Sequence, residues 1–432
     1  MDPDQYQSSD GSPGPVLPRS GWRRSLGNLK TFRSLQNPVY RRYFVAMLSQ
    51  MVALNMQMFA RSLLIYRLTG SLTILGGMAA ANAVPLLVLS LFGGVLADRF
   101  QKKYVVMFGH IASAAASLVV ALLLGSGYLS LENEGSWWVL MAASVVQGAV
   151  MGLSMPSRES LIREIVPAEQ VLNAISLNSM GMHAFRLFGP ALTGFIVLTS
   201  GFETVYYVMA GSYLVAALLI AILPRTSKAS SGRENVITAI KQGFGYLRGE
   251  TTMIFTIGFF LFAVVLSMPY TMLMPAFADD VLKVGTEGMA TLMVFSGIGS
   301  VAAALVLASL PNKRRGLMLL GGSLALSLGL VAFAFSESWG LSLGMIIIVG
   351  AGQSVQMTMV GALIQYYVDP RYLGRVMSIL MMQFGFVNLG IFAAGVLAEG
   401  IGVQWAVGGF AIVLVVVTLV MIVFAGRLRR LD

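Results

Sequence analysis

The chain has 432 residues, 56% of them hydrophobic and only 11% charged, with a net charge of +10 and no cysteine. An ordinary soluble domain carries roughly 25% charged residues, so the deficit excludes one. The missing cysteine excludes a disulfide framework and a thiolate metal site, and it leaves the redox compartment open.

Residues 1–20 hold many Pro, Gly and Ser residues and no apolar h-region. They read as a disordered tail without a secretory signal. Beyond them run twelve apolar stretches, each near the roughly 20 residues that cross a hydrocarbon core of about 30 Å. The predicted spans are 44–66, 75–97, 104–126, 137–156, 172–200, 205–223, 253–277, 288–310, 317–335, 341–366, 377–398 and 404–425. Only Arg61 and Arg186 place a full charge inside them, and no Asp or Glu does.

Lys and Arg set the expected orientation. Seven lie before residue 44, and the others on that side fall in 99–103, 158–163, 225–250, 313–315, 371–375 and 427–430. That side carries 25 of the 29 basic residues, the opposite side only Arg67 and Lys283. Both termini are therefore expected in the cytoplasm of a multi-pass plasma or inner membrane protein. The opposite loops are short and acidic, with Glu132, Glu134, Glu203, Asp279, Asp280, Glu287 and Glu337. The longest connection, 224–252, contains an amphipathic segment, ENVITAIKQGFGYL. The expected organisation is a tail at 1–42, a six-helix bundle at 43–223, the central loop, a second bundle at 253–425, and a tail at 426–432.

The two halves repeat. At a constant offset of 202, Leu161, Ile162, Val166 and Ser176 match Leu363, Ile364, Val368 and Ser378. At an offset of 201, Gly189 and Gly194 match Gly390 and Gly395. Two repeated six-span halves with a site between them is a transporter architecture.

Three stretches carry further information. GGVLADRFQKK, 93–103, follows the second span. Gly94 permits close helix approach, and Asp98 can pair with basic residues or with a helix N-terminus. RLFGPALTG, 186–194, lies in the fifth span. In the seventh, Pro269 and Pro275 bracket Tyr270, Met272 and Met274, a stretch that reads either as a gate or as a local kink.

The first stretch resembles the G-x-L-A-D-R-x-G-R-R signature of the major facilitator superfamily. Gly94, Leu96, Ala97, Asp98, Arg99, Lys102 and Lys103 match, and Gln101 stands in place of its glycine. Gly189, Pro190 and Gly194 resemble the superfamily's exporter-associated Gly-Pro motif, with Thr193 where glycine is usual. PAEQVLNAISLNSMGM (167–182), YRLTGS (66–71) and GRVMS (374–378) are similar to the macrolide-efflux and enterobactin-exporter branch. The resemblance implies two pseudo-symmetric six-helix bundles and export of small amphiphilic molecules, drug-like compounds or a siderophore-type metabolite. It also implies alternating access coupled to an ion gradient, with the proton as the expected ion and the Asp98 motif as a conformational switch. An uptake symporter or a lysolipid transporter shares the architecture. One departure stands out: where drug/proton antiporters carry an arginine three residues before Gln147-Gly148, this chain has Ser144.

Helical spacing picks out the polar path. Gln50, Leu54, Gln57 and Arg61 share one face of the first span, and Asn178, Met182, Arg186, Gly189 and Thr193 one face of the fifth. Gln353 and Gln356 lie in the tenth. The expectation is a cavity of positive potential lined by Gln50, Gln57, Arg61, Asn178, Arg186, Gln353 and Gln356. Snorkelling of Arg61 and helix bracing by Arg186 are the alternatives. His183 could titrate during transport or simply pack as a neutral ring. The expected partners are a small-molecule substrate, the coupling ion and lipid; a monomer is expected, without nucleic acid, metal or cofactor. No phosphate-binding Gly-x-x-x-x-Gly-Lys motif is present. A membrane enzyme would need clustered catalytic groups at membrane depth, and a sensor would need an output domain; neither is seen in the sequence.

Overall fold

A computed structural model describes residues 34–133, 135–167, 170–224, 244–309 and 314–429. The last part of the expected N-terminal tail, from Pro38, belongs to the first helix, while its residues 1–33 and most of the central loop lie outside these residues. So do the surroundings of Gly94 and the side chains of Asp98, Arg99, His183 and Arg186. The described chain is helical, without a strand.

The first span is a helix over Pro38–Thr69. Asn37 Oδ1 accepts from the Val39 and Tyr40 amides at 2.9 and 3.4 Å, while Pro38 sits where no N–H partner is needed. Gly70 ends it at φ 63°, donating to the Tyr66 carbonyl at 2.8 Å. The second to fourth spans are Leu72–Arg99, Lys102–Gly125 and Trp138–Ile165.

Helix Val171–Ala221 has 51 residues. Straight, it would reach about 77 Å, far beyond a bilayer. Gly201, at φ 79° and ψ 174°, breaks it into the fifth and sixth spans. The seventh is segmented into Thr251–Ser267, Pro269–Ala276 and a π turn over Phe277–Val281. Pro269 cannot continue the amide ladder, and Thr271 takes up the Met268 carbonyl through both its amide, at 3.1 Å, and its hydroxyl, at 2.8 Å. The eighth to tenth spans are Gly285–Ser309, Arg315–Ala334 and Trp339–Tyr367. The eleventh comprises Pro370–Met381 and Gln383–Ile401, and the twelfth is Val403–Phe424. Gly402 joins them at φ 85° and ψ 153°. It stands 201 residues after Gly201 and adopts a similar backbone conformation, so the repeat extends to the helix breaks.

Packing repeats as well. A Cβ on Gly148 would lie 2.1 Å from the Asn82 carbonyl oxygen, and one on Gly350 would lie 1.9 Å from that of Ser296. The fourth span thus lies against the second as the tenth lies against the eighth, each through a glycine, at an offset of 202. Among the described residues, eleven helices are long and apolar enough to cross a membrane. The one containing Gly201 makes two spans, which gives twelve transmembrane helices in two pseudo-symmetric six-helix bundles. Phe188, Phe195, Trp405 and Phe424 point outward and are exposed, as lipid-facing side chains would be.

The basic loops mark one end of the molecule, called here the basic end; the acidic loops mark the other. In the acidic half one apolar core runs through both bundles, joining Leu63, Tyr66 and Leu75 to Leu273, Phe277 and Ala394. In the basic half the described residues form two separate cores. One holds Tyr40, Val106, Leu161 and Ile220, and the other Phe260, Leu319, Leu363 and Val376.

Candidate functional site

The two bundles meet most tightly at the acidic end. Glu399, at the end of the eleventh span, reaches the N-terminus of the second. Its Oε2 accepts from the Leu72 amide at 2.6 Å, the Thr73 amide at 3.0 Å and the Ser71 hydroxyl at 3.3 Å. Those amides have no partner within their own helix, and the helix dipole adds positive potential there. The π turn of the seventh span presents Asp280 to the Tyr66 hydroxyl, which donates to Oδ2. Arg67 donates to Thr286 Oγ1 at 2.6 Å and lies 3.9 Å from Asp279. Apolar closure follows the same line: a Cβ on Gly76 would lie 3.1 Å from Gly395 Cα, and one on Gly194 2.6 Å from Ala290 Cβ. Among the described residues, every polar contact between the bundles lies at this end.

Among the described residues, the following basic-end contacts lie within a bundle. Ser34 bonds Asn173, Tyr40 the Ala174 carbonyl and Tyr43 the Arg158 carbonyl. Lys102, from the switch motif, pairs with Glu164. Lys103 donates to the Leu223 carbonyl at 2.8 Å, satisfying the C-terminus of the sixth span. In the second bundle the Asp369 amide donates to Tyr246 Oη at 3.2 Å, and Tyr246 stacks on Tyr372.

Between these ends, the first bundle holds a buried polar cluster. Arg61 Nη1 donates to Ser144 Oγ at 3.2 Å. Ser144 is fully buried and donates in turn to the Leu140 carbonyl at 2.8 Å. So a guanidinium from the first span contacts the position where the resemblance would put an arginine on the fourth. Tyr206 and Tyr213 from the sixth span face Arg61, and Tyr213 donates to Gln57 Oε1 at 3.4 Å. Arg61 Nε and the Tyr206 hydroxyl are both buried without a hydrogen-bond partner. Two donors, one of them cationic, therefore stand unsatisfied at membrane depth, a costly state unless an anion or water meets them.

The remaining candidates are placed as follows. Gln50 has a buried, unpaired Oε1 one helix face below Gln57. Asn178 likewise has an unpaired, buried Oδ1. Gln353 and Gln356 are buried in the second bundle, their amides reaching Met268 Sδ at 2.9 Å and Ser323 Oγ at 3.0 Å. Gly189 packs on Asn55, and Pro190 is buried beside it in the same helix. Sequence reasoning did not name Tyr206, Tyr213, Asn82 or the Glu399 contact. The signal for the tyrosines was their spacing of seven, two turns on one face. Asn82 donates to the Ser144 carbonyl at 3.1 Å, and only its polarity inside a span could have pointed to it.

Comparison with known proteins agrees with this architecture. The sequence model of the Major Facilitator Superfamily matches residues 43–388. An uncharacterized MFS-type transporter, YfiS of Bacillus subtilis, is 26% identical over 341 residues, covering 75% of this chain and 78% of its own. The staphyloferrin A transporter of Staphylococcus aureus is 25% identical over 76% of this chain and 82% of its own. The enterobactin exporter EntS of Salmonella choleraesuis is 23% identical over 95% and 97%. Among solved structures, the nucleoside transporter NupG superposes with a TM-score of 0.71 at 14% identity, over 89% of this chain and 99% of that one. A bacterial homologue of the lysosomal transporter Spinster, inward-facing and occupied, gives 0.65 at 14% identity, over 93% and 99%. With a family match across most of its length and twelve spans in two repeated bundles, the chain belongs to the Major Facilitator Superfamily.

Proposed function

We propose that the chain exports small amphiphilic molecules bearing an anionic or electron-rich group, by alternating access driven by a proton gradient. The observation that carries the alternating-access reading is the one-sided closure: one shared core and all described polar inter-bundle contacts at the acidic end, two separate cores at the basic end. With the basic end in the cytoplasm, this is a state closed to the outside. Two relatives, the enterobactin exporter and the staphyloferrin A transporter, support a siderophore-type metabolite as the cargo, and the first supports export.

Arg61 is the proposed reader of negative charge. Its Nε and the Tyr206 hydroxyl supply unpaired donors, and the apolar stretches predicted from the sequence hold no Asp or Glu to neutralise it. Low dielectric around the pair strengthens attraction to an anion relative to water. Arg186, with Asn178 on the same helical face, is proposed to extend this charge along the path. His183 is the proposed proton carrier, since the apolar stretches predicted from the sequence hold no Asp or Glu; the acids of the helices sit near their ends. The test is uptake into everted membrane vesicles energised with a pH gradient, using an anionic and a cationic fluorescent compound. Gradient-dependent accumulation of the anion is expected. Accumulation in right-side-out vesicles instead would reverse the direction, and indifference to the pH gradient would remove the proton.

A further inference from the structure

The repeat relates the two bundles, and at one corner of the basic end it is broken. In the first bundle, Lys102 at the start of the third span pairs with Glu164 at the end of the fourth. The lysine is 7% exposed, so its charge is matched inside the fold. The offset of 202 that relates Leu161 to Leu363 and Ile162 to Ile364 also relates Glu164 to Tyr366. In the second bundle the cation at the start of the ninth span is Arg315. Its guanidinium carbon lies over the Tyr366 ring, 4.8 Å from the centroid. An aromatic thus stands where the first bundle has an acid. The ring face attracts the cation but does not neutralise it, and Tyr366 is 66% exposed.

The surroundings add charge of the same sign and an apolar flank. The ninth span packs against the tenth, the twelfth and the C-terminal turn Gly426–Arg429. Leu428 anchors that turn in the core of the second bundle and leaves Arg429 exposed. Arg314, next to Arg315 in sequence, is exposed as well. Among the described residues neither Arg315 nor Arg429 makes an ion pair. Leu317 near the start of the ninth span, and Val423 and Phe424 at the end of the twelfth, are exposed apolar side chains. A guanidinium lying flat on a ring keeps its N–H edges free to donate, and that planar fork fits a phosphate. Tyrosine suits a boundary that is apolar on one side and wet on the other. A phosphate attached to acyl chains satisfies all of these groups. A soluble anion would use the arginines and leave the apolar flank bare.

We propose that this corner of the second bundle is a docking site for an anionic phospholipid, its headgroup phosphate on Arg315 and Arg429 and its chains along Leu317 and Phe424. Neither the direction of transport nor its coupling enters this assignment. The test is thermal melting of the full chain in micelles of a neutral detergent, followed by tryptophan fluorescence, because a ligand of the folded state raises the melting temperature. Phosphatidylglycerol and phosphatidylcholine with identical chains are titrated in turn; the second carries the same phosphate, but its ammonium opposes the arginines. Phosphatidylglycerol should reach its half-maximal rise at roughly one fifth of the phosphatidylcholine concentration, the worth of about one basic residue at an anionic lipid surface. Tyr366→Glu restores the acid of the first bundle and should erase that preference. Arg315→Gln should erase it from the other partner, so one variant still decides should the other fail to fold. Arg248→Gln removes an exposed cation elsewhere at the basic end and should leave the preference intact. Equal half-points for the two lipids in the wild type, a preference that survives Tyr366→Glu and Arg315→Gln, or an equal loss in Arg248→Gln overturns the proposal. So does a rise with sodium phosphate alone that disappears in Arg315→Gln, since it would assign the corner to the free anion.

Discussion

The acidic and basic halves of this molecule are made from the same twelve helices, yet they cohere differently. In the acidic half one apolar core passes through both bundles, and Glu399, Asp280 and Arg67 stitch across it. In the basic half each bundle keeps its own core, and polar groups such as Lys102, Lys103 and Tyr246 bond within their own bundle. The lesson is that the described residues of each bundle pack on their own core at the basic end, while the joint between bundles is concentrated in the acidic half. Such a joint can open without unfolding anything, which two-state switching requires.

The strongest challenge to this comparison is to weld the joint. Gly76 and Gly395 approach closely where the second and eleventh spans cross, and the chain has no cysteine of its own. A Cβ does not fit at that crossing, so the weld goes beside it: Ser71→Cys with Glu399→Cys, where the wild-type side chains meet at 3.3 Å, bridged through a short linker with a thiosulfonate at each end, should hold the acidic end shut. Transport is expected to fall to background and to return on reduction. Full transport by the crosslinked protein would mean that the acidic end need not open.

The next largest effect concerns Arg61. Arg61→Met keeps bulk and removes the cation. Export of an anionic compound should fall about tenfold more than that of a cationic one, the scale of one charge-assisted hydrogen bond. Thermal stability should hold or rise, because an unpaired cation has left the membrane interior. Arg61→Lys should retain part of the anion preference, since charge survives while the planar fork does not. A loss shared equally by both compounds, together with a lower melting temperature, would mark Arg61 as a brace.

How much of this was legible beforehand depends on what the membrane imposes on sequence. Spans must be apolar for their whole length, so all twelve could be read from hydropathy, as could Gln50, Gln57 and Arg61, polar residues at helical spacing on one face. The breaks at 201–204 and 399–403 were read as well, but not the positive-φ backbone of Gly201 and Gly402, because a helix-breaking glycine differs from a packing glycine such as Gly148 only in its backbone angles. The Glu399 contact was hidden for a different reason. Its partner is the amide N–H groups of Leu72 and Thr73, and backbone donors leave no mark in residue type. Tyr206 and Tyr213 were not singled out, because an aromatic inside a span carries no mark of its neighbour until the fold brings it near Arg61.

Glu399 also sharpens the comparison, because the second and eleventh helices carry a carboxylate at each end. Glu399 meets the start of the second at the acidic end, and Asp98, near the basic end of the second, is proposed to meet the eleventh when the molecule opens the other way. Glu399→Gln keeps an acceptor but loses the charge that the helix dipole favours. Exposure to solvent reduces the effect, and a shift of about fivefold toward the acidic-end-open state is expected. Labelling of a single cysteine at Ser71 should rise accordingly, while Asp98→Asn should lower it. Movement of both variants in the same direction would dissolve the reciprocal arrangement.

The smallest effect is expected at Arg67. Its side chain is 42% exposed and its Nε lies 3.9 Å from Asp279 Oδ2, so the ion pair alone is worth at most about 1 kcal/mol. The bond to Thr286 at 2.6 Å adds a second, shorter link between the first and eighth spans. Arg67→Ala should therefore raise acidic-end accessibility only about two- to threefold, and the rise should shrink in high salt, where the wild-type pair is already screened. Arg67→Gln separates the two contributions, because the amide can still donate to Thr286 while carrying no charge. If the glutamine variant behaves as wild type at every ionic strength, the hydrogen bond holds this corner. If it behaves as alanine, and only at low salt, the charge does.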